Sequence, residues 1–286
     1  LVRQADGHLH PVTWDEVLPL LAERLMQIKL AEGADAIGGL ISARCTNEDL
    51  YLFQKFMRLA IGSNHLDSTT RYGHVNAARA LRRVQGTNRW TVSYEDIVQA
   101  DALLLIGTQV TAANPIVGLK VKEAVKKHGA RLLTIETLVP SIETTSNITN
   151  LSAMHVAVPP GRHAAAVRGL VKAVFDENLV DAGLSARAGD YVSRVRAAAT
   201  ALPYPEALNE TTLRAIAKTF AVARRGVILI GQDLLQAPGG HDAAVNLLDF
   251  LLLIGKLTQP GWGLAPLTEE NNEQGAIEMG ATADYL

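Results

Sequence analysis

The chain has one cysteine, Cys45, in 286 residues. A lone thiol forms no internal disulfide and holds no cysteine-ligated iron–sulfur cluster or zinc centre within these residues. Long apolar runs are missing as well. The longest, "LLDFLLLIGKL", is broken by Asp249 and Gly255 and falls short of the roughly 18 residues of a membrane span, so it reads as a buried helix. Charge of one sign is scarce: 27 Lys and Arg against 29 Asp and Glu give a formal charge of −2. That balance offers no electrostatic case for nucleic acid or an anionic membrane as partner. No G-x-G-x-x-G fingerprint or Walker loop occurs, which disfavours ordinary NAD or ATP binding. H-E-x-x-H and G-x-S-x-G are absent too, so zinc-hydrolase and serine-hydrolase readings have no support.

What is present is a pattern repeated three times: an apolar β-type run, a glycine or polar turn, then a helix. The copies are "DAIGGLISARCTNED" before "LYLFQKFMRLAIG", "DALLLIGTQVTAANP" before "IVGLKVKEAVKKHG", and "GVILIGQDLLQAPGG" before "HDAAVNLLDFLLLIG". A further run, "ARLLTIET", completes a β-α-β unit after the second helix. Buried runs alternating with amphipathic helices predict an α/β fold of mostly parallel sheet flanked by helices, in two lobes. The outer lobe is expected over 1–66 and 222–286, the central inserted lobe over 67–221. Local signals agree: Thr13 and Glu16 form a capping-box pair, Pro19 falls near the first turn of that helix, Pro115 opens a helix and Gly129 closes it. Residues from Pro159 to Ala223 read as several helices.

In open parallel sheets ligands bind beyond the carboxyl ends of the strands, where strand order reverses. The three turns place Thr46 and Asn47, then Gly107, Thr108 and Asn114, then Gly231 and Gln232 at such ends. The next strand ends in Glu136, a solvated strand end or a partner for ribose or base donors. Taken singly, these residues are turn glycines and helix caps; three similar turns at one crevice would make a ligand site. His74, in "RYGHVNAARAL", is expected to be structural. Arg71 beside it either orients an anion or pairs with Asp67.

At "SARCTNEDLYLFQKFMR" the chain resembles the molybdopterin oxidoreductase family, and the resemblance continues through "GSNHLD", "HVAVPPGRHAAAVRGL", "LIGKLTQPGWGLAPL" and "NNEQGAIEMGA". That family includes formate dehydrogenases and the G (75 kDa) subunit of respiratory complex I, and the resemblance implies formate dehydrogenase/DMSO reductase-like domains. In catalytic relatives a cysteine or selenocysteine ligates molybdenum or tungsten and a histidine follows it. Aligned on "LDSTTRYGHVNAARAL", Gly73 takes the ligand position and His74 the histidine. Cys45 belongs to another turn and is expected to be a small packing residue. The acid after the second strand survives as Glu136, but "IETLVP" lacks the family's Pro-Arg pair, and Asn114 replaces a histidine.

The resemblance with these departures implies a scaffold domain of the G subunit of a bacterial NADH:quinone oxidoreductase, without a catalytic residue, metal ligand or cofactor of its own. Iron–sulfur clusters would lie outside these residues, peripheral-arm subunits would be the partners, and the location would be cytoplasmic, on the inner face of the membrane. The chain, opening on "LVRQADG" without methionine, is expected to be a piece of a longer polypeptide. The alternative is a formate dehydrogenase-type enzyme with molybdopterin guanine dinucleotide and molybdenum or tungsten, in which His74 and Arg71 handle protons and anions. If a pterin dinucleotide is kept, its expected contacts are Thr46, Asn47, Gly107, Thr108, Asn114, Glu136, Gly161, Gly231, Gln232, Asn272 and Gln274.

Overall fold

The computed structural model describes residues 1–90, 92–137, 148–206 and 208–283. The "LVP" of "IETLVP" lies outside them. The chain forms two compact units, Leu1–Arg71 with Glu270–Leu286, and Tyr72–Glu269. Among the described residues no helix is long and apolar enough to cross a membrane.

The first unit opens with a short antiparallel ribbon, β1 (Val2–Arg3) and β2 (Leu9–His10). Helix α1 (Trp14–Glu32) follows, and Glu16 Oε2 accepts from both the backbone N–H and the hydroxyl of Thr13, at 2.8 and 2.9 Å. Pro19 is the sixth residue of this helix rather than part of its first turn. It therefore leaves the Asp15 carbonyl without an intrahelical donor. Strand β3 (Gly39–Ile41), helix α2 (Asn47–Lys55) and strand β4 (Leu66–Ser68) form a parallel β-α-β unit. A π-helical turn, Phe56–Ile61, extends α2. Ile37, Met57, Ile61 and Leu66 pack together as the core of this unit.

The second unit runs α3 (His74–Gln85), α4 (Tyr94–Val98), β5 (Ala102–Ile106), α5 (Val110–Ala113), α6 (Pro115–His128), β6 (Arg131–Thr137) and β7 (Met154–Val158). Helices α7 (His163–Asp176), α8 (Ala182–Arg187), α9 (Gly189–Thr200) and α10 (Glu210–Val222) follow. Then come β8 (Gly226–Ile230), α11 (Gln232–Leu235), α12 (Gly240–Leu253) and β9 (Trp262–Pro266). The five strands lie parallel in the order β7-β6-β5-β8-β9. Both faces are covered, which is why the strands read as unbroken apolar runs. Ala102, Leu104 and Ile106 face a core shared with α3, α7, α10 and α12, while Leu103 and Leu105 face one shared with α4 and α6. The buried "LLDFLLLI" segment is α12 and the turn after it, as expected.

The unit boundaries differ from those the sequence suggested. Every residue of β8 and β9 is buried, and β8 hydrogen-bonds to β5, so 222–269 belongs with the central sheet. At the other end, residues 67–71 belong to the first unit, because β4 pairs with β3 across the expected cut at 66/67.

Candidate functional site

From β5 the chain winds through β6 to β7 on one side, then returns to pair β8 and β9 on the other, so strand order reverses between β5 and β8. Ligands of doubly wound sheets bind outside the strand ends at such a point. Here the two turns leaving β5 and β8 pack on each other. The Gly231 N–H donates to the Ile106 carbonyl at 2.9 Å, and the Asp233 N–H to the Gly107 carbonyl at 3.2 Å. A Cβ on Gly231 would stand 2.2 Å from the Gly107 oxygen and 2.4 Å from Thr108 Cβ. Gly107 and Gly231 are thus needed for the close approach of two backbones. Thr108 is buried beside them. Asn114 Nδ2 donates to the Thr268 carbonyl at 2.8 Å.

Gly73 is the N-cap of α3, with φ +155°, a conformation open only to glycine without strain. A Cβ there would lie 2.0 Å from Gln232 Oε1 and 3.4 Å from Leu235 Cβ. The Gln232 carboxamide therefore fills the space a side chain at 73 would enter. Gln236 Nε2 donates to the same Oε1 at 3.3 Å, and Asn76 Nδ2 donates to the Leu235 carbonyl at 2.8 Å, tying α3 to α11. His74 is fully buried with its ring edge-on to Trp90, centroids 5.2 Å apart.

Glu136 is no solvated strand end. Its Oε2 accepts from the Thr149 hydroxyl at 2.6 Å and lies 3.8 Å from His155 Nδ1. Gly161, at φ +73° with nothing within 4 Å of an added Cβ, is an open turn between β7 and α7.

Beside these ends the structure assembles a constellation to which the sequence reading assigned no role. Thr137 ends β6, His163 opens α7 after β7, and Asp233 lies in α11 after β8. The Thr137 hydroxyl donates to Asp233 Oδ2 at 2.5 Å, so its oxygen is left to accept from His163 Nε2 at 3.3 Å. That order places the imidazole proton on Nε2. Burial pushes the His163 pKa down from its ordinary 6.5, with Asp233 opposing the shift. The folded chain therefore resists protonation that the unfolded chain accepts. Its contribution to stability is complete above pH 6.5 and is lost as pH falls below that value. Thermal melts between about pH 5 and 8 are expected to show a fall in Tm on the acid side that His163→Gln reduces. Only the "PPGRH" turn ahead of a helix signalled this residue.

In the first unit, Thr46 caps α2 by accepting the Asp49 N–H at 3.3 Å. Asn272 Nδ2 donates to the Cys45 carbonyl at 2.9 Å and to Asn47 Oδ1 at 3.0 Å, bringing Asn47 and Asn272 together. Gln274 Nε2 donates to Glu278 Oε1 at 2.8 Å along the helix Glu273–Glu278. Arg71 Nε meets Asp67 Oδ2 at 2.6 Å, which is the ion-pair reading. Cys45 is half-buried and packs against Ala43, Leu50, Ala276 and Ala281. Among the described residues no three His, Cys, Asp or Glu side chains are grouped to hold a metal.

The side chains present do not fit a molybdenum or tungsten centre that needs a ligand at position 73. Glycine offers no donor atom, and Gln232 occupies the approach. Nor do Gly107 and Gly231 form a phosphate cradle, since their open faces are spent on each other's turns.

A parallel sheet ordered 3-2-1-4-5 from one edge, with polar turns at its switch point, is the framework of cofactor- and nucleotide-binding α/β proteins. The chain belongs to the molybdopterin oxidoreductase family, whose profile matches residues 1–285. It is 32% identical over 289 residues to formate dehydrogenase H of Escherichia coli (strain K12), covering 99% of this chain and 39% of that protein. It is 28% identical over 287 residues to the F420-dependent formate dehydrogenase subunit alpha of Methanocaldococcus jannaschii, covering 98% of this chain and 41% of that one. The chain thus spans about two fifths of the length of these relatives. Acetylene hydratase from Pelobacter acetylenicus shares the fold, with a TM-score of 0.71 at 18% identity over 88% of this chain and 34% of that one.

Proposed function

We propose that these residues are the molybdopterin-oxidoreductase-like domain of the G subunit of a bacterial NADH:quinone oxidoreductase, acting as a scaffold. The observation that carries this reading is Gly73. By the family resemblance it stands where catalytic members present a metal-ligating side chain; glycine offers no donor atom, its backbone conformation strains any other residue, and the Gln232 carboxamide fills the space beside it. The side chains expected to hold a pterin dinucleotide also serve the chain itself. Asn272 and Asn47 bond to each other, Glu136 to Thr149, and Asn114 to the Thr268 carbonyl. In this role the domain supports electron transfer from NADH to quinone through iron–sulfur clusters bound outside these residues. It holds neighbouring peripheral-arm subunits at the cytoplasmic face of the membrane.

A second reading, favoured by the formate dehydrogenases among its relatives, is a formate dehydrogenase-type enzyme that takes molybdenum or tungsten without a ligand from position 73. Elemental analysis for both metals on the purified full-length protein, with pterin fluorescence after oxidation, separates the two. The scaffold reading expects neither metal nor pterin. Stoichiometric metal overturns it and makes formate the first substrate to test. Pterin without metal replaces it with a structural cofactor.

A further inference from the structure

Along α7 in the second unit lies a cleft of about 570 Å³, between that helix and residues 202–206 and 208, which lie between α9 and α10. A recess of about 110 Å³ continues it along α7, sharing Ala165, Arg168, Leu202, Pro203 and Pro205 and reaching Lys172. The larger volume lies within the range of small-molecule sites. Its walls are mostly apolar and firmly held. Pro203 and Pro205 have fixed φ. Tyr204 between them donates its hydroxyl to Asp176 Oδ2 at 2.9 Å, with Lys172 and Arg214 against its ring at 5.3 and 5.4 Å.

The charges in the lining divide into two groups. Lys172 is committed to Asp176, 3.7 Å away. The guanidiniums of Arg162 and Arg168, both exposed, have no ion pair or hydrogen bond among the described residues. The one acid in the lining, Glu206, pairs with neither. Two guanidiniums with unused donors beside an apolar trough select a ligand with an anionic head and an apolar body. We propose that this cleft binds a small amphipathic carboxylate, its head on Arg162 and Arg168 and its hydrocarbon along Ala165, Leu202 and Pro203. The site lies apart from the turns at the strand ends and does not depend on the scaffold reading.

Isothermal titration of the purified full-length protein with decanoate, decanol and acetate tests it. Decanoate is expected to bind saturably, more tightly than decanol or acetate. Arg168→Gln and Arg162→Gln are each expected to weaken decanoate by about three- to tenfold while leaving decanol unchanged, the scale of a charge-assisted hydrogen bond at a partly exposed site. Both arginines are exposed, so the variants should fold normally, and unchanged Tm values check this. The proposal is overturned if decanoate shows no saturable binding, if decanol binds equally well, or if both variants keep the parent affinity.

Discussion

Gly231→Ala is expected to be among the most damaging single changes in this chain. Its φ of −107° would suit alanine, so the cost is steric alone. The new methyl would meet the Gly107 carbonyl oxygen at 2.2 Å, Thr108 Cβ at 2.4 Å and Thr108 Cα at 2.8 Å, two of them backbone atoms of a turn pinned by the Gly107 N–H on the Ile135 carbonyl and the Asp233 N–H on the Gly107 carbonyl. Nothing flexible can yield, and separating β5 from β8 would open the middle of the sheet. Overpacking of that kind costs about 3 kcal/mol or more. Gly161→Ala is the control. It has positive φ but open space around its Cβ, so only backbone strain of about 1–2 kcal/mol applies. Urea denaturation of both variants should separate them clearly. Equal midpoints would mean the two turns are less closely packed than described.

Gly73→Ala is expected to destabilise by about 1–3 kcal/mol from backbone strain alone, plus the contact with Gln232. The two parts are separable. The clash is with the far end of a side chain, so Gln232→Ala should remove it, whereas no neighbouring change relieves φ +155°. In a double-mutant cycle the pair should therefore be less unstable than the sum of the single changes, yet still well below the parent. If the double variant recovers parent stability, position 73 tolerates a side chain. The structural case against a ligand there would then fail. Gly73→Cys combined with Gln232→Ala carries the same question to metal content, measured in a host that makes the cofactor.

Much of this architecture was legible in one dimension. The runs "ALLLI" and "GVILI" had to be strands covered on both faces, because no half-exposed strand would be apolar at every position. Thr13 with Glu16, Pro115 and Gly129 marked helix ends through local hydrogen-bonding and steric rules, and each stands where those rules place it. Gly73 was visible too, because the absence of a side chain is a property of the sequence.

What the sequence could not express was which segments meet. β8 and β9 joined the central sheet, against the division expected at 222, because a buried run does not name its neighbour. Glu136 read as solvated because Thr149, its partner, follows thirteen residues later in the chain. Thr137, His163 and Asp233 lie far apart in sequence and carry no shared spacing. Only the parallel winding of β6, β7 and β8 brings the segments that leave them together. Local chemistry determined the elements and the missing ligand. Tertiary packing alone decided the strand order, the Gln232 carboxamide at Gly73 and the cleft on α7, because each depends on distances between residues that are remote along the chain.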